Sequence, residues 1–226
     1  MAVVLLWGAN DMKIGIIGAN GNLGSYLVKQ ALDLDMAVKA FVRKGVCSDS
    51  RVESVEKSLF DMKKEDIQDL DVLISTFGSG FTADPSINKD AFIKYIELLE
   101  NSKTKFIVIA GAGSLYTDAT HAVYEYETEN HPLKLKEISK NIRLGIDEIE
   151  KNKSFSWTIV CPSRKFDLKG KYSGEYIVGL DGEIIYNEDQ QSYVTYEDLA
   201  KAMLDIAIND LYPHQLVTIA SKKGGN

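Results

Sequence analysis

Three glycines spaced three apart constrain this chain more than any other feature of it. Gly18, Gly21 and Gly24 come after the β-branched run Lys13–Ile17. They precede a stretch that puts Leu23, Leu27, Ala31 and Leu34 on one face at helical spacing. A second apolar run, Ala37–Val42, completes a strand–turn–helix–strand unit. Each glycine has a distinct physical use. Gly18 lets the chain leave the strand tightly, Gly21 removes a side chain where a ligand must touch backbone, and Gly24 lets helix and strand approach closely. Amide N–H groups of the first helical turn, around Asn20, Asn22 and Leu23, are then free to face an anion such as a diphosphate. The spacing is G-x-x-G-x-x-G, not the standard G-x-G-x-x-G. The bland alternative is a glycine-rich turn with no ligand.

The end of the second strand bears on which dinucleotide such a turn takes. A site for NAD usually ends that strand in an acid that holds the ribose 2′-hydroxyl. Here it ends in Arg43-Lys44, and the nearest acid is Asp49. A guanidinium suits a 2′-phosphate, so the sequence predicts NADP (as NADPH) over NAD. The alternative is a solvated basic pair. Residues 51–60 read as a short third strand ending at Leu59-Phe60-Asp61. Asp61 either accepts from the adenine amino group or caps a helix starting near Lys63. The fourth strand begins at Asp71 and runs into Thr76, Phe77 and Gly78, which are placed along the ribose and nicotinamide side of a cleft. The loop 79–86 reads as a lid.

Further along, Phe92, Ile96 and Leu99 mark a helix within residues 87–101. Lys105 to Ala110 reads as a central parallel strand, and 117–131 as a substrate-side loop or short helix. Leu135, Ile138, Ile142, Ile146 and Ile149 mark a long helix, and residues 154–160 a sixth strand ending Cys161-Pro162-Ser163-Arg164. The alternation predicts an α/β fold of Rossmann type. It is a doubly wound parallel sheet in the order 3-2-1-4-5-6, with helices on both faces and a small C-terminal substrate-side region. Within that region, 175–178 and 183–185 are expected to pair as a hairpin turning at Leu180-Asp181-Gly182. Thr195 to Asp198 reads as a capping box opening a helix, and Gln215 to Ala220 as a last strand.

Composition narrows the rest. The chain has 226 residues and is best counted as one domain, with 1–11 as an N-terminal extension and 166–193 as a substrate-side insertion. A net charge of −7 without a basic block argues against nucleic acid, and the absence of a long apolar run argues against a membrane span. Two cysteines, Cys47 and Cys161, read as free thiols of a reducing cytoplasm. Three scattered histidines give no metal-ligand spacing, so no metal is expected. Oligomeric state, monomer or homodimer, is not legible.

The segments Gly18-Ala-Asn-Gly-Asn-Leu-Gly24, Phe41-Val-Arg43, Ile74-Ser-Thr-Phe-Gly78, Gly111-Ala-Gly-Ser114, Trp157-Thr-Ile-Val-Cys-Pro162 and Val194-Thr-Tyr-Glu-Asp-Leu-Ala200 occur together in this order. In this the chain resembles the atypical short-chain dehydrogenase/reductases. It is most similar to the NmrA-like and NADH-flavin reductase branch, near biliverdin-IXβ/flavin reductase. The resemblance spans about residues 12–220. It implies an oxidoreductase that passes hydride from NADPH to a small flavin-like or quinone-like acceptor, with FMN or FAD as a substrate and not a prosthetic group. Nicotinamide is expected near Thr76, Gly78 and Pro162. Ser114 is the candidate catalytic group, hydrogen-bonding the acceptor, with a plain turn serine as its alternative. Arg164 is the candidate holder of an anionic acceptor group, with a surface cation as its alternative.

One departure from the wider superfamily is informative. Its usual Tyr-x-x-x-Lys pair, in which lysine lowers the tyrosine pKa, is matched by none of the eleven tyrosines. Hydride transfer to a flavin or quinone needs no such acid, because the acceptor ring stabilises charge itself. Two other functions stay open: a non-catalytic NADP-binding redox sensor of NmrA-like type, and a nucleotide-sugar epimerase or dehydratase, which would need the missing tyrosine.

Overall fold

A computed structural model describes residues 11–80 and 83–224. Strands β1 (Lys13–Ile17), β2 (Ala37–Val42), β3 (Glu53–Glu56), β4 (Val72–Ser75), β5 (Lys105–Ile109) and β6 (Trp157–Pro162) lie side by side in the order β3-β2-β1-β4-β5-β6. This is the sheet expected from the alternation, and every pair is parallel. Two strands extend it. β10 (Gln215–Ser221) adds parallel to β6, and β8 (Tyr176–Gly179) closes the edge antiparallel to β10. A separate parallel pair joins β7 (Lys165–Asp167) and β9 (Tyr193–Thr195).

The central strands β1, β4, β5 and β6 are largely apolar and buried because both faces are covered, whereas the edge strand β3 is mostly exposed. On one face, Ile14, Ile16, Val72, Ile74, Val217 and Ile219 pack under α1 (Asn22–Asp33) and α4 (Tyr196–Asn209). On the other, Leu73, Phe106, Val108 and Ile159 pack under α2 (Ile87–Leu99) and α3 (Leu133–Glu150). Successive side chains of one strand thus enter different cores, as the strand period of two requires. Leu23, Leu27 and Ala31 are the buried face of α1, as their spacing predicts.

Four local expectations are corrected. The third strand stops at Glu56, and Leu59–Asp61 forms a single 3-10 turn. No α-helix starts near Lys63. A second 3-10 turn, Lys64–Asp66, is closed by the Asp66 carboxylate accepting from the Lys63 amide at 2.7 Å, so Asp61 caps nothing. The hairpin around 180–182 does not form. β8 instead pairs with β10, where it covers an edge that would otherwise be open, and Glu183 bridges to Tyr116. The capping box at α4 is half a box. Thr195 Oγ1 accepts from the Asp198 amide at 3.0 Å, but the Asp198 carboxylate does not return the bond. It is fully buried and accepts from the Ser173 and Gly174 amides (3.0 and 2.8 Å) and from Ser221 Oγ (2.6 Å), fastening the 166–193 segment to α4. The extension expected at 1–11 lies, but for Asp11, outside the described residues, as do positions 81 and 82 of the expected lid.

Candidate functional site

The chain reverses direction across the sheet between β1 and β4. At such a point two loops diverge and leave a crevice beyond the carboxyl ends of the strands. Two cavities meet there, of about 510 and 500 Å3, sharing Thr76, Phe77, Gly78 and Ser79 as their common wall.

The first cavity is built on backbone. Gly18 has φ +79°, a left-handed conformation that favours glycine, and a Cβ there would lie 2.7 Å from Thr76 Oγ1. A Cβ on Gly24 would lie 2.1 Å from the Gly18 carbonyl oxygen, so only glycine lets α1 start this close to β1. The Gly21 amide closes the turn by donating to Gly18 O at 2.8 Å. Gly21 then caps α1 without a side-chain bond, and no acid stands in the first turn. The amides of Asn22, Leu23 and Gly24 therefore lack acceptors from the helix itself, which is what a phosphate needs. Asn20 does not offer its side chain to a ligand. Its Nδ2 donates to Val46 O at 2.9 Å and its Oδ1 accepts from the Ser48 amide at 3.1 Å, tying the glycine turn to the loop after β2.

Arg43 and Lys44 line the far rim, together with Lys57, Ser58, Leu59 and Phe60. Lys57 is committed to Asp66 at 2.6 Å. Asp61 is exposed and lies outside the lining, whereas Phe60 is part of it, its ring meeting Phe77 edge-on at 6.0 Å. Sequence reasoning misses the 58–60 lining because its apolar residues read as strand; the turn that re-aims them is set by tertiary contacts.

The second cavity is built on side chains from distant parts of the chain. Phe92 and Tyr95 come from α2, Leu135, Ile138 and Ile142 from α3, Phe166 from β7 and Tyr196 from the start of α4. The three α3 residues read as core by their spacing, but they are only half-buried and face this space. Phe166 and Tyr196 stack with ring centres 3.6 Å apart and planes 6° from parallel. Tyr95 shares a 2.6 Å hydrogen bond with Ser75 Oγ, and burial raises its phenol pKa far above the ordinary value. The Tyr196 phenol is also raised by burial, against a smaller opposing pull from Asn22. Neither tyrosine has a sequence signal, since neither sits in a Tyr-x-x-x-Lys frame.

Three expected site residues stand elsewhere. Ser114 is 1% exposed in the 3-10 turn Ala112–Ser114, and its hydroxyl lacks a partner among the described residues without lining the cavity. Pro162 is buried within β6, in register with Ile219, and does not border the crevice. Arg164 is held by Glu125 through two bonds (Nε–Oε1 2.8 Å, Nη2–Oε2 2.6 Å) and by Tyr186 Oη at 2.7 Å, so its charge is already neutralised. Among the described residues, no group of acids, histidines or cysteines could hold a metal ion, and no helix is long and apolar enough to cross a membrane. Cys47 and Cys161 are both buried and unpaired, and burial pushes the Cys161 thiol up to about 12.

A family model described as NAD(P)H-binding matches residues 18–210, nearly the whole chain. The chain belongs to this NAD(P)H-binding family. A protein of Bacillus subtilis (strain 168), the uncharacterized YwnB, is 31% identical over 93% of this chain and 99% of its own. The crystal structure of "a putative NADH-flavin reductase" from Streptococcus pneumoniae TIGR4 superposes with a TM-score of 0.85 at 29% identity, covering 93% of this chain and all of that one. ChuY, an anaerobillin reductase of Escherichia coli O157:H7, shares the fold alone, with a TM-score of 0.70 at 15% identity over 95% of this chain and 99% of its own. The likeness to the NADH-flavin reductase branch read from the glycine turn and the later segments is therefore borne out. The open helix terminus and the glycine cradle fit the dinucleotide that the family name implies.

Proposed function

We propose that this member of the NAD(P)H-binding family is a reductase that uses NADPH in preference to NADH and takes a flavin-like or quinone-like acceptor. One observation carries the reading: an uncapped helix N-terminus and a side-chain-lined cavity share one wall, Thr76 to Ser79. The amides of Asn22 to Gly24 would hold the diphosphate, and Arg43 with Lys44 would meet a 2′-phosphate at the rim. The dinucleotide, when bound, supplies a hydride, which with one proton from water converts a quinone to its hydroquinone and leaves NADP+. The side chains of the second cavity orient the acceptor and exclude water from it.

The nucleotide-sugar epimerase reading is disfavoured by the two phenols that reach the crevice. Epimerase chemistry needs a tyrosine pKa lowered by a nearby lysine. No lysine lines the second cavity among the described residues, and burial moves both phenols the other way.

Steady-state oxidation of NADPH, monitored by its absorbance with menadione or riboflavin as acceptor, tests the proposal. Turnover with NADPH favoured over NADH is expected. Tight NADPH binding without turnover would replace it by the redox-sensor reading.

A further inference from the structure

The second cavity contains no charged side chain. Its lining has no Lys, Arg, Asp, Glu or His among the described residues, and the undescribed positions 1–10, 81–82 and 225–226 hold none of these residue types. Polar atoms are present, but they are neutral. Asn88 Nδ2 is engaged by Ser79 Oγ and Pro85 O, both at 3.0 Å, and Tyr95 Oη by Ser75. The two guanidiniums nearest in the chain to its walls are also spoken for. Arg164 is closed by Glu125, and Arg143, on α3, is closed by Asp147 at 2.7 Å and Glu150 at 2.6 Å. Within the lining itself, the one positive feature is the N-terminus of α1, whose Asn22 and Leu23 line this cavity beside the glycine turn. A diphosphate seated there would neutralise it and add negative charge at the shared wall, in a chain already at −7. An anionic group entering the second cavity would then lose water without gaining a partner.

Shape points the same way. The parallel Phe166–Tyr196 stack and the Leu135, Ile138 and Ile142 row of α3 offer flat and aliphatic surfaces to a planar ring. We infer that the second cavity selects a flat, uncharged conjugated ring, such as a quinone or a flavin without its phosphate, and rejects acceptors carrying phosphate or carboxylate. This rests on the reading that the second cavity is the acceptor side of the crevice.

Equilibrium binding to the NADP+-loaded protein tests it without relying on turnover. Riboflavin and FMN differ only in one phosphate, and both report binding by quenching of their fluorescence. Riboflavin should bind at least about tenfold more tightly than FMN, the least expected for an uncompensated phosphate, of charge about −1.5 to −2, at a partly solvated site. Menadione should exceed menadione sulfonate by a similar factor in calorimetry. Placing a cation in the wall, Ile142→Arg, or Ile138→Lys where the first variant folds poorly, should narrow the riboflavin–FMN gap to under about threefold while leaving NADP+ affinity unchanged. Equal affinities in the natural chain, tighter FMN, or no binding by any of the four compounds would overturn the inference. Selective riboflavin binding without any NADPH oxidation would uphold it and remove the reductase reading instead.

Discussion

The two halves of the crevice are of similar size and share a wall, yet they are made differently. The half at α1 is backbone: a left-handed Gly18, a Gly24 that no side chain could replace, and amides with no acceptor of their own. Its rim adds the cations Arg43, Lys44 and Lys57, the last of them held by Asp66. The half at α2 and α3 is mostly side chain, drawn from residues as far apart as Asn22 and Tyr196, and uncharged. A backbone site tolerates little variation and takes one ligand chemistry. A side-chain site can be re-cut by substitution without touching the scaffold. On the proposed reading, this contrast is how one dinucleotide turn would serve different acceptors.

The sharpest way to break this contrast is at Gly24. Gly24→Val puts a branched side chain where a Cβ alone would lie 2.1 Å from Gly18 O. It should weaken NADPH binding at least about 100-fold by calorimetry, with circular dichroism to check folding. Retained affinity would mean that the turn does not grip the ligand through backbone. Next comes the rim. Arg43→Glu should cost NADPH roughly ten- to hundredfold in Kd, from the loss of a charge-assisted contact, while NADH changes little. Equal loss for both would take Arg43 out of its assigned role.

On the other half, Phe166→Ala removes one member of the stack. It should raise the acceptor KM about five- to tenfold with NADPH affinity unchanged. Arg164→Gln should leave acceptor KM alone but lower stability by about 1 kcal/mol in urea unfolding, because a largely buried Glu125 loses its partner. A changed KM would return Arg164 to the acceptor. The smallest effect is a pH dependence. His131, buried and 3.2 Å from Ser139 on α3, has its pKa lowered mainly by burial, opposed by Glu125. The unfolded chain therefore takes up the proton first. Stability contributed by neutral His131 is complete at pH above the ordinary histidine value of about 6.5 and declines as pH falls through it. His131→Gln should flatten that slope below about pH 6.5.

Much of the first half is legible in the sequence because its physics is local. Strand, glycine spacing and helix face fall within residues 13–34, and Gly18 and Gly24 are required by backbone geometry alone. The sheet order follows from alternation and the handedness of crossovers. The 59–66 stretch misleads because short apolar runs do not distinguish strand from turn, and the Asp66–Lys63 bond closes only the second of its two 3-10 turns.

By itself, the sequence determined the parallel sheet, the amides without helical acceptors at its first turn and the missing Tyr-x-x-x-Lys pair. Only the tertiary structure decided that β8 would cap β10 instead of forming a hairpin. It also decided that Glu125 would claim Arg164, and that Phe166 and Tyr196 would stack in the cavity that α3 also lines. The physical reason is range. Backbone conformation and periodicity are set by near neighbours, whereas an acceptor surface is set by which distant side chains the packed sheet brings face to face.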